Sequence, residues 1–181
     1  MKARTLQILL ILALLLQTAP PASAVEPNEP AVVLSAFTEG NVIEGRLGLR
    51  NASGLEGGLL AGWYEEQPET LWSVGLYAHY LVTPNVQLPV GNLIPGNPFD
   101  LPETLSADVY LGANCQVCNL NRSHRDTQTE TDAPFIQAGP LVGATMGPIA
   151  LEYLYRIQEG GGREISLAEG GVVQMGVIFR F

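Results

Sequence analysis

The chain has 181 residues, of which 46% are apolar and 15% charged, and its 9 basic residues face 18 acidic ones. That acidic balance argues against a nucleic-acid or other polyanion binder, and the apolar content argues against disorder. With 20 glycines and 13 prolines, turns are favoured over long helices.

The first element is an export signal. Lys2 and Arg4 precede an apolar run from Leu6 to Leu16, and Ala22-Ser23-Ala24 follows as a small-x-small cleavage site. This grammar predicts a cleaved signal peptide over Met1–Ala24. The apolar run is shorter than the ~20 residues that a spanning helix needs. Cleavage leaves residues 25–181 with 7 arginines against 18 acidic residues, a formal charge of −11. No cysteine follows the cut before Cys115, so a lipid anchor there is not expected.

Strands follow in chain order. Ala31–Thr38 is the first, and both of its faces are apolar, so its facing is ambiguous. Val42–Arg50 sets Ile43, Leu47 and Leu49 against Glu44, Arg46, Gly48 and Arg50, a period of two. Asn51–Glu56 is a turn, Gly57–Glu65 a third strand, and Glu66–Glu69 a hairpin loop. Thr70–Val82 sets Trp72, Val74, Leu76, Ala78, Tyr80 and Val82 against Leu71, Ser73, Gly75, Tyr77 and His79.

Asn85–Pro102 carries four prolines, which disfavours a central strand. It reads as an ordered loop, or as a degraded hairpin that raises the strand count. Glu103–Cys115 alternates again, with Ser106, Asp108, Tyr110 and Asn114 on its polar face. Gln116–Ala133 reads as a long hydrophilic loop. Pro134–Thr145, a tight turn at Met146-Gly147-Pro148, and Pro148–Gln158 follow; Glu152 and Arg156 share the polar face of the last. After a polar loop, Glu159–Glu169, the strand Gly171–Phe181 alternates Val173, Met175, Val177, Phe179 and Phe181 with Gln174, Gly176, Ile178 and Arg180.

The count is eight, with ten as the alternative. The fold class expected is all-β, an eight-stranded antiparallel transmembrane β-barrel over residues 25–181. Long and short connections alternate broadly as in such barrels, with the carboxyl terminus on the periplasmic side. A strand that ends on Phe181 suits an aromatic girdle at a membrane interface.

These features resemble the small bacterial outer-membrane β-barrels of the OmpA/OmpX type. The order of the segments GLLAGWYEE, VGLYAHYL, ADVYLGA, GPIALEYLYRIQ and GVIFRF is more narrowly similar to the YfaZ-type outer-membrane family. The resemblance implies a membrane barrel whose last strand, through Val177, Phe179 and Phe181, is read by the outer-membrane barrel assembly machinery. It implies no activity. The expected location is the cell outer membrane, after export through the periplasm, and the expected partners are outer-membrane lipid and that machinery. A monomer is expected, with no cofactor and no nucleic acid.

A narrow barrel interior is filled by side chains, and buried charges there require partners. The polar faces supply a lumen charge network of Glu44, Arg46, Arg50, Asp108, Glu152, Arg156 and Arg180, with Glu65, His79 and Gln174 also inward. Glu152 and Arg156 lie about 13 Å apart along their strand, so their partners must sit on other strands.

Cys115 and Cys118 form a CQVC motif, and an oxidising compartment favours a local disulfide between them. A metal site with His124 and Asp126 would lack the second ligand pair that short zinc sites use. Catalytic residue types occur in Ser123-His124-Arg125-Asp126, and in His79 with Ser73 and Ser106, but neither set pins a nucleophile.

A non-enzymatic barrel with a plugged polar lumen and a structural or surface-interaction role is therefore the leading expectation. A narrow channel or ligand-binding barrel is the second, and an outer-membrane lipid-modifying hydrolase the third.

Overall fold

The computed structural model describes residues 29–66, 69–89, 104–123, 129–131, 133–160 and 170–181. The expected signal peptide and its cleavage site lie outside these residues, as do Gln67-Pro68 and residues 90–103, 124–128 and 161–169.

Alternating sequences become strands because an extended backbone sends successive side chains to opposite faces. The strands are β1 (Ala31–Glu39), β2 (Val42–Arg50), β3 (Leu55–Glu66), β4 (Glu69–Pro89), β5 (Thr104–Ser123), β6 (Thr129–Thr131), β7 (Phe135–Met146), β8 (Ile149–Gly160) and β9 (Gly170–Arg180). Each antiparallel neighbour is hydrogen-bonded in the order β4-β3-β2-β1-β9-β8-β7-β5, and β4 pairs with β5 to close the ring. The three-residue β6 pairs only with β5, Asn121 opposite Thr131. The wall is thus a closed barrel of eight strands, all antiparallel, with no helix among the described residues.

The seam uses the last residue of the chain. Val33 pairs with Arg180 in the β1–β9 register. One step further, Val32 N donates to Phe181 O and Phe181 N donates to Val32 O, both at 3.0 Å. A closed ladder leaves no exposed strand edge along the wall.

Short turns join several walls. Gly40 and Gly147 take positive φ at 58° in the β1–β2 and β7–β8 connections. In the β2–β3 turn, Asn51 Oδ1 accepts hydrogen bonds from Ser53 N at 2.9 Å, Ser53 Oγ at 2.7 Å and Leu55 N at 3.1 Å.

Two expectations about loops are corrected. The segment Gln116–Ser123, expected in a loop, continues β5, pairing Gln116 with Gly75 and Arg122 with Glu69. Both of its faces carry polar groups, so alternation does not mark it as strand. Of the proline-rich segment Asn85–Pro102, residues 85–89 belong to β4 rather than to a loop, and residues 90–102 lie outside the described residues. The register shifts between Leu81 and Val86, Asn85 takes φ 53°, and its N–H donates to Asp108 Oδ1 at 3.0 Å. Past this bulge, Val86 pairs with Ala107 and Pro89 with Thr104. The β4–β5 pairing therefore runs on past the wall, and among the described residues the wall has eight strands. A bulge accommodates this departure by bending one strand relative to its partner.

The two faces of the wall differ sharply. Leu34, Leu47, Leu59 and Leu76 are laterally paired from β1 to β4, and all are exposed. Leu111, Val142, Leu151 and Met175 continue the exposed apolar ring through β5, β7, β8 and β9. Aromatic side chains flank this ring. Trp63 and Trp72 pair across β3 and β4 near the end away from the termini. Tyr80 and Phe181 are exposed at the terminal end. From Trp72 to Tyr80 is about 26 Å along β4, or about 20 Å of height at a strand tilt of about 40°.

The core is the lumen, and it is mixed rather than wholly polar. Val33, Phe37, Leu60, Leu141, Leu154 and Ile178 point inward with the charged residues. The facing of β1, ambiguous in sequence, is resolved: Ala31, Val33, Ser35 and Phe37 point inward, while Val32 and Leu34 point out. Tyr64 is also inward, whereas Glu65 is on the exposed face, contrary to its expected lumen position. Strand parity explains it, since Leu60 and Tyr64 share the inward set of β3.

Candidate functional site

The inward charges gather at three heights rather than in one network. At mid-height, Arg46 on β2 is fully buried between two carboxylates. Its Nε donates to Glu44 Oε1 at 2.6 Å. Its Nη1 and Nη2 donate to Glu152 Oε1 and Oε2 on β8, each at 2.8 Å. This two-pronged geometry matches the guanidinium fork to the carboxylate.

Glu152 receives two further donors. Tyr110 Oη donates to Oε1 and Gln174 Nε2 donates to Oε2, both at 2.7 Å. Four donors therefore occupy an acceptor with about four lone-pair sites. His79 completes the group. Arg46 Nη1 lies 3.3 Å from His79 Nε2. Because a guanidinium only donates, Nε2 must accept, which puts the neutral imidazole's proton on Nδ1. Nδ1 faces Glu56 Oε1 at 3.7 Å.

Three aromatic rings jacket this polar centre. Arg46 Cζ lies 4.2 Å from the Phe37 ring centroid and 5.4 Å from that of Tyr77. His79 lies 4.9 Å from both the Tyr77 and Tyr110 ring centroids. Each ring is paired with a glycine on the next strand, Phe37 with Gly176, Tyr77 with Gly58 and Tyr110 with Gly143. Any side chain at Gly143 or Gly176 would run into the Tyr110 or Phe37 ring. Gly143 and Gly176 thus leave the space into which the Tyr110 and Phe37 rings lean, and Gly48, not the register partner Gly58, does so for Tyr77.

At the end away from the termini, Arg156 Nη2 meets Glu39 Oε2 at 2.8 Å. Arg156 does not join Glu152, as the distance along β8 requires. At the terminal end, Arg180 Nη1 is 3.8 Å from Asp108 Oδ2. Arg50 is buried nearby, and its Nε and Nη2 have no hydrogen-bond partner.

The residues that sequence reasoning missed are Glu39, Glu56, Tyr77 and Tyr110 as members of these groups. Glu39 and Glu56 lie at strand ends where turn and strand are hard to separate. Parity does place Tyr77 and Tyr110 inward, but parity carries no height, so it cannot say which inward groups meet.

Other candidate residues are dispersed. Cys115 is exposed on the outer face and Cys118 is buried in the lumen, and both thiols are free. The expected disulfide is therefore corrected. Residues three apart on one strand face opposite sides, with Cα atoms about 10 Å apart, beyond the ~7 Å limit for a bridge. Ser73 is buried in the lumen, whereas Ser106 is exposed and accepts a hydrogen bond from Gln87 Nε2 at 2.8 Å. They do not converge on His79, so that catalytic set is not assembled. His124 and Asp126 lie outside the described residues, among which no group of three metal-ligating side chains comes together. Of the last-strand residues, Val177 is covered on the outer wall, Phe179 is half-buried and Phe181 is exposed.

Two cavities flank the Arg46–Glu152 group. One, of about 10 Å³, lies on the terminal side among Arg50, Glu56, His79, Tyr110 and Arg180. The other, of about 50 Å³, lies on the far side and includes Glu39, Glu44, Gln116 and Arg156 in its lining.

No family model matches the chain, and no curated protein matches it. The narrower YfaZ-type resemblance therefore gains no support from a family model. Among solved structures, the chain is similar to the crystal structure of Neisserial surface protein A, with a TM-score of 0.51 and 16% identity. The match covers 84% of this chain and 94% of that one. The likeness is one of fold: the eight-stranded architecture found here is that of a small outer-membrane β-barrel.

Proposed function

We propose that the protein is a small integral barrel of the bacterial outer membrane, exported by a signal peptide cleaved after Ala24. In this reading it is monomeric and non-enzymatic, with a closed lumen and a structural or surface-interaction role. The observation that carries this reading is the ring of exposed aliphatic side chains, one on each of the eight wall strands. In water such a ring would be a continuous apolar surface far larger than soluble monomers expose. In a bilayer it meets hydrocarbon, and the flanking Trp63, Trp72, Tyr80 and Phe181 meet the two interfaces. The termini then lie on the periplasmic side, and Val177, Phe179 and Phe181 serve as the signal read by the assembly machinery.

The lumen reading rests on Arg46, Glu44 and Glu152, whose hydrogen bonds cross the interior from β2 to β8. A carbonate-washed membrane fraction should retain the protein, and unheated samples should migrate faster than boiled ones on a detergent gel. Recovery wholly in the soluble periplasmic fraction would overturn the proposal. Planar-bilayer recordings should show no stable conductance steps; steady steps would favour the narrow channel instead.

A further inference from the structure

We propose that the far half of the lumen is a binding cup for a small uncharged amphiphile with an amide or alcohol head. The inference rests on the closed-lumen reading, because the Glu44–Arg46–Glu152 group supplies the cup's floor. The cavity above that floor, about 50 Å³, exceeds the ~10–15 Å³ that one water requires. It has room for a ligand head and its first carbons. The matching space below the floor is about 10 Å³ and has no such room.

The cup is two-sided. Tyr64, Leu71 and Leu120 line its apolar side, and Leu71 and Leu120 belong to an apolar cluster with Cys118 and Phe135. Arg156, Gln116 and Gln137 line the polar side, together with Glu39, Glu44 and Ser73. Gln116 is 5% exposed and Arg156 6% exposed. Yet Gln116 Oε1 and Arg156 Nε have no hydrogen-bond partner.

Both groups are held in place by their other atoms. Gln116 Nε2 donates to Gln137 Oε1 at 2.5 Å, and Arg156 Nη2 pairs with Glu39 at 2.8 Å. One amide acceptor and one guanidinium donor are thus left in the lining, beside the Glu39 Oε2 that faces Arg156 and makes no hydrogen bond of its own. Buried polar atoms favour a guest that completes their hydrogen bonds. An amide or alcohol head offers both a donor and an acceptor.

Hydrogen-bond complementarity narrows the class. Arg46 is shared between Glu44 and Glu152, so the floor keeps one net negative charge, which disfavours an anionic head. A carboxylate only accepts and cannot serve Gln116 Oε1, and an ammonium only donates and cannot serve Arg156 Nε. Either would also lose its hydration on entry.

The test uses the full mature barrel in lipid nanodiscs, with hexanamide as probe and hexanoate and hexylamine as charged controls. The side-chain amide resonances of Gln116 and Gln137 should shift saturably with hexanamide. The charged controls should bind about tenfold more weakly, as should hexanamide to Gln116→Leu, the factor expected for one lost hydrogen bond. Leu71→Trp, which enlarges a lining side chain and leaves the polar pair intact, should abolish the shifts. Faster migration of unheated protein verifies folding of both variants. A non-conducting barrel without saturable shifts overturns the cup alone. Equal binding of hexanoate overturns the assigned head class, and undiminished binding to Leu71→Trp moves the probe to the outer wall. Steady conductance overturns the closed floor and the cup with it.

Discussion

Arg46 and Glu152, 106 residues apart in sequence, form a two-pronged ion pair at 2.8 Å and 2.8 Å across the lumen, with neither side chain exposed to solvent. Such a pair is costly to desolvate, and its value depends on complete satisfaction of both partners. Here Glu44, Tyr110 and Gln174 supply the remaining contacts. The pair therefore acts as a cross-brace from β2 to β8, strands that are not neighbours in the sheet.

Removal of one side of the brace should expose the cost of the other. Arg46→Met leaves Glu44 and Glu152 as buried carboxylates without their cation. The expected loss is about 3–5 kcal/mol, read as a lower urea midpoint for unfolding in lipid micelles. Combining Arg46→Met with Glu44→Gln and Glu152→Gln removes the uncompensated charges and should regain more than half of that loss. A triple variant no more stable than Arg46→Met would refute the charge argument.

Tyr110 offers a finer test. Tyr110→Phe keeps the ring beside His79 and its lean over Gly143 but deletes one of four donors to Glu152. A hydrogen bond to a charged group contributes about 1.5–3 kcal/mol, so stability should fall by about that amount. The same urea series measures it. A change below about 0.5 kcal/mol, the scale of ordinary surface substitutions, would mean the hydroxyl contributes little to holding Glu152.

The thiols give a prediction on topology. Cys115 faces the apolar exterior and Cys118 the lumen, so dithiothreitol should change neither the mobility of the unheated barrel nor its unfolding midpoint. In the folded protein a membrane-permeant maleimide should modify Cys115 and spare Cys118, which is 1% exposed. After unfolding, both should react. Peptide mapping of the labelled chain separates the two sites, and labelling of Cys118 at the same rate as Cys115 would contradict the facing of β5.

How far the sequence reveals this arrangement depends on contrast between faces. On β2, Glu44 and Arg46 alternate with Ile43 and Leu47, so the lumen side is legible. On β1, Val33 and Phe37 are inward while Val32 and Leu34 are outward, and with both sets apolar the period of two disappears. The far part of β5 fails for the opposite reason: Gln116, Asn119 and Asn121 spread polarity over both faces. Height is the other missing coordinate. Parity puts Arg156 and Glu152 on one side of β8, but the barrel's stagger decides that Arg156 meets Glu39 and Glu152 meets Arg46. The CQVC motif was misleading because compartment chemistry favours a bridge that strand geometry forbids.

The small residues opposite the lumen rings are the last element that can be tested directly. Gly48 and Gly58 are register partners on β2 and β3, and Tyr77 on β4 is the register partner of Gly58. A Cβ added at Gly48 would collide with the Tyr77 hydroxyl and meet Gly57 O at 2.8 Å, a backbone atom that cannot swing aside. Displacing Tyr77 would in turn disturb the ring that lies 5.4 Å from Arg46. Gly48→Ala should therefore destabilise by about 1–3 kcal/mol, the usual range for overpacking. Gly45, on the outer face of the same strand, has nothing within 4 Å of an added Cβ. Gly45→Ala should stay within about 0.5 kcal/mol of the parent. Comparing the two substitutions by urea unfolding separates crowding from any general effect of replacing glycine in a strand. Equal effects at the two positions would show that Tyr77 does not need the space Gly48 leaves.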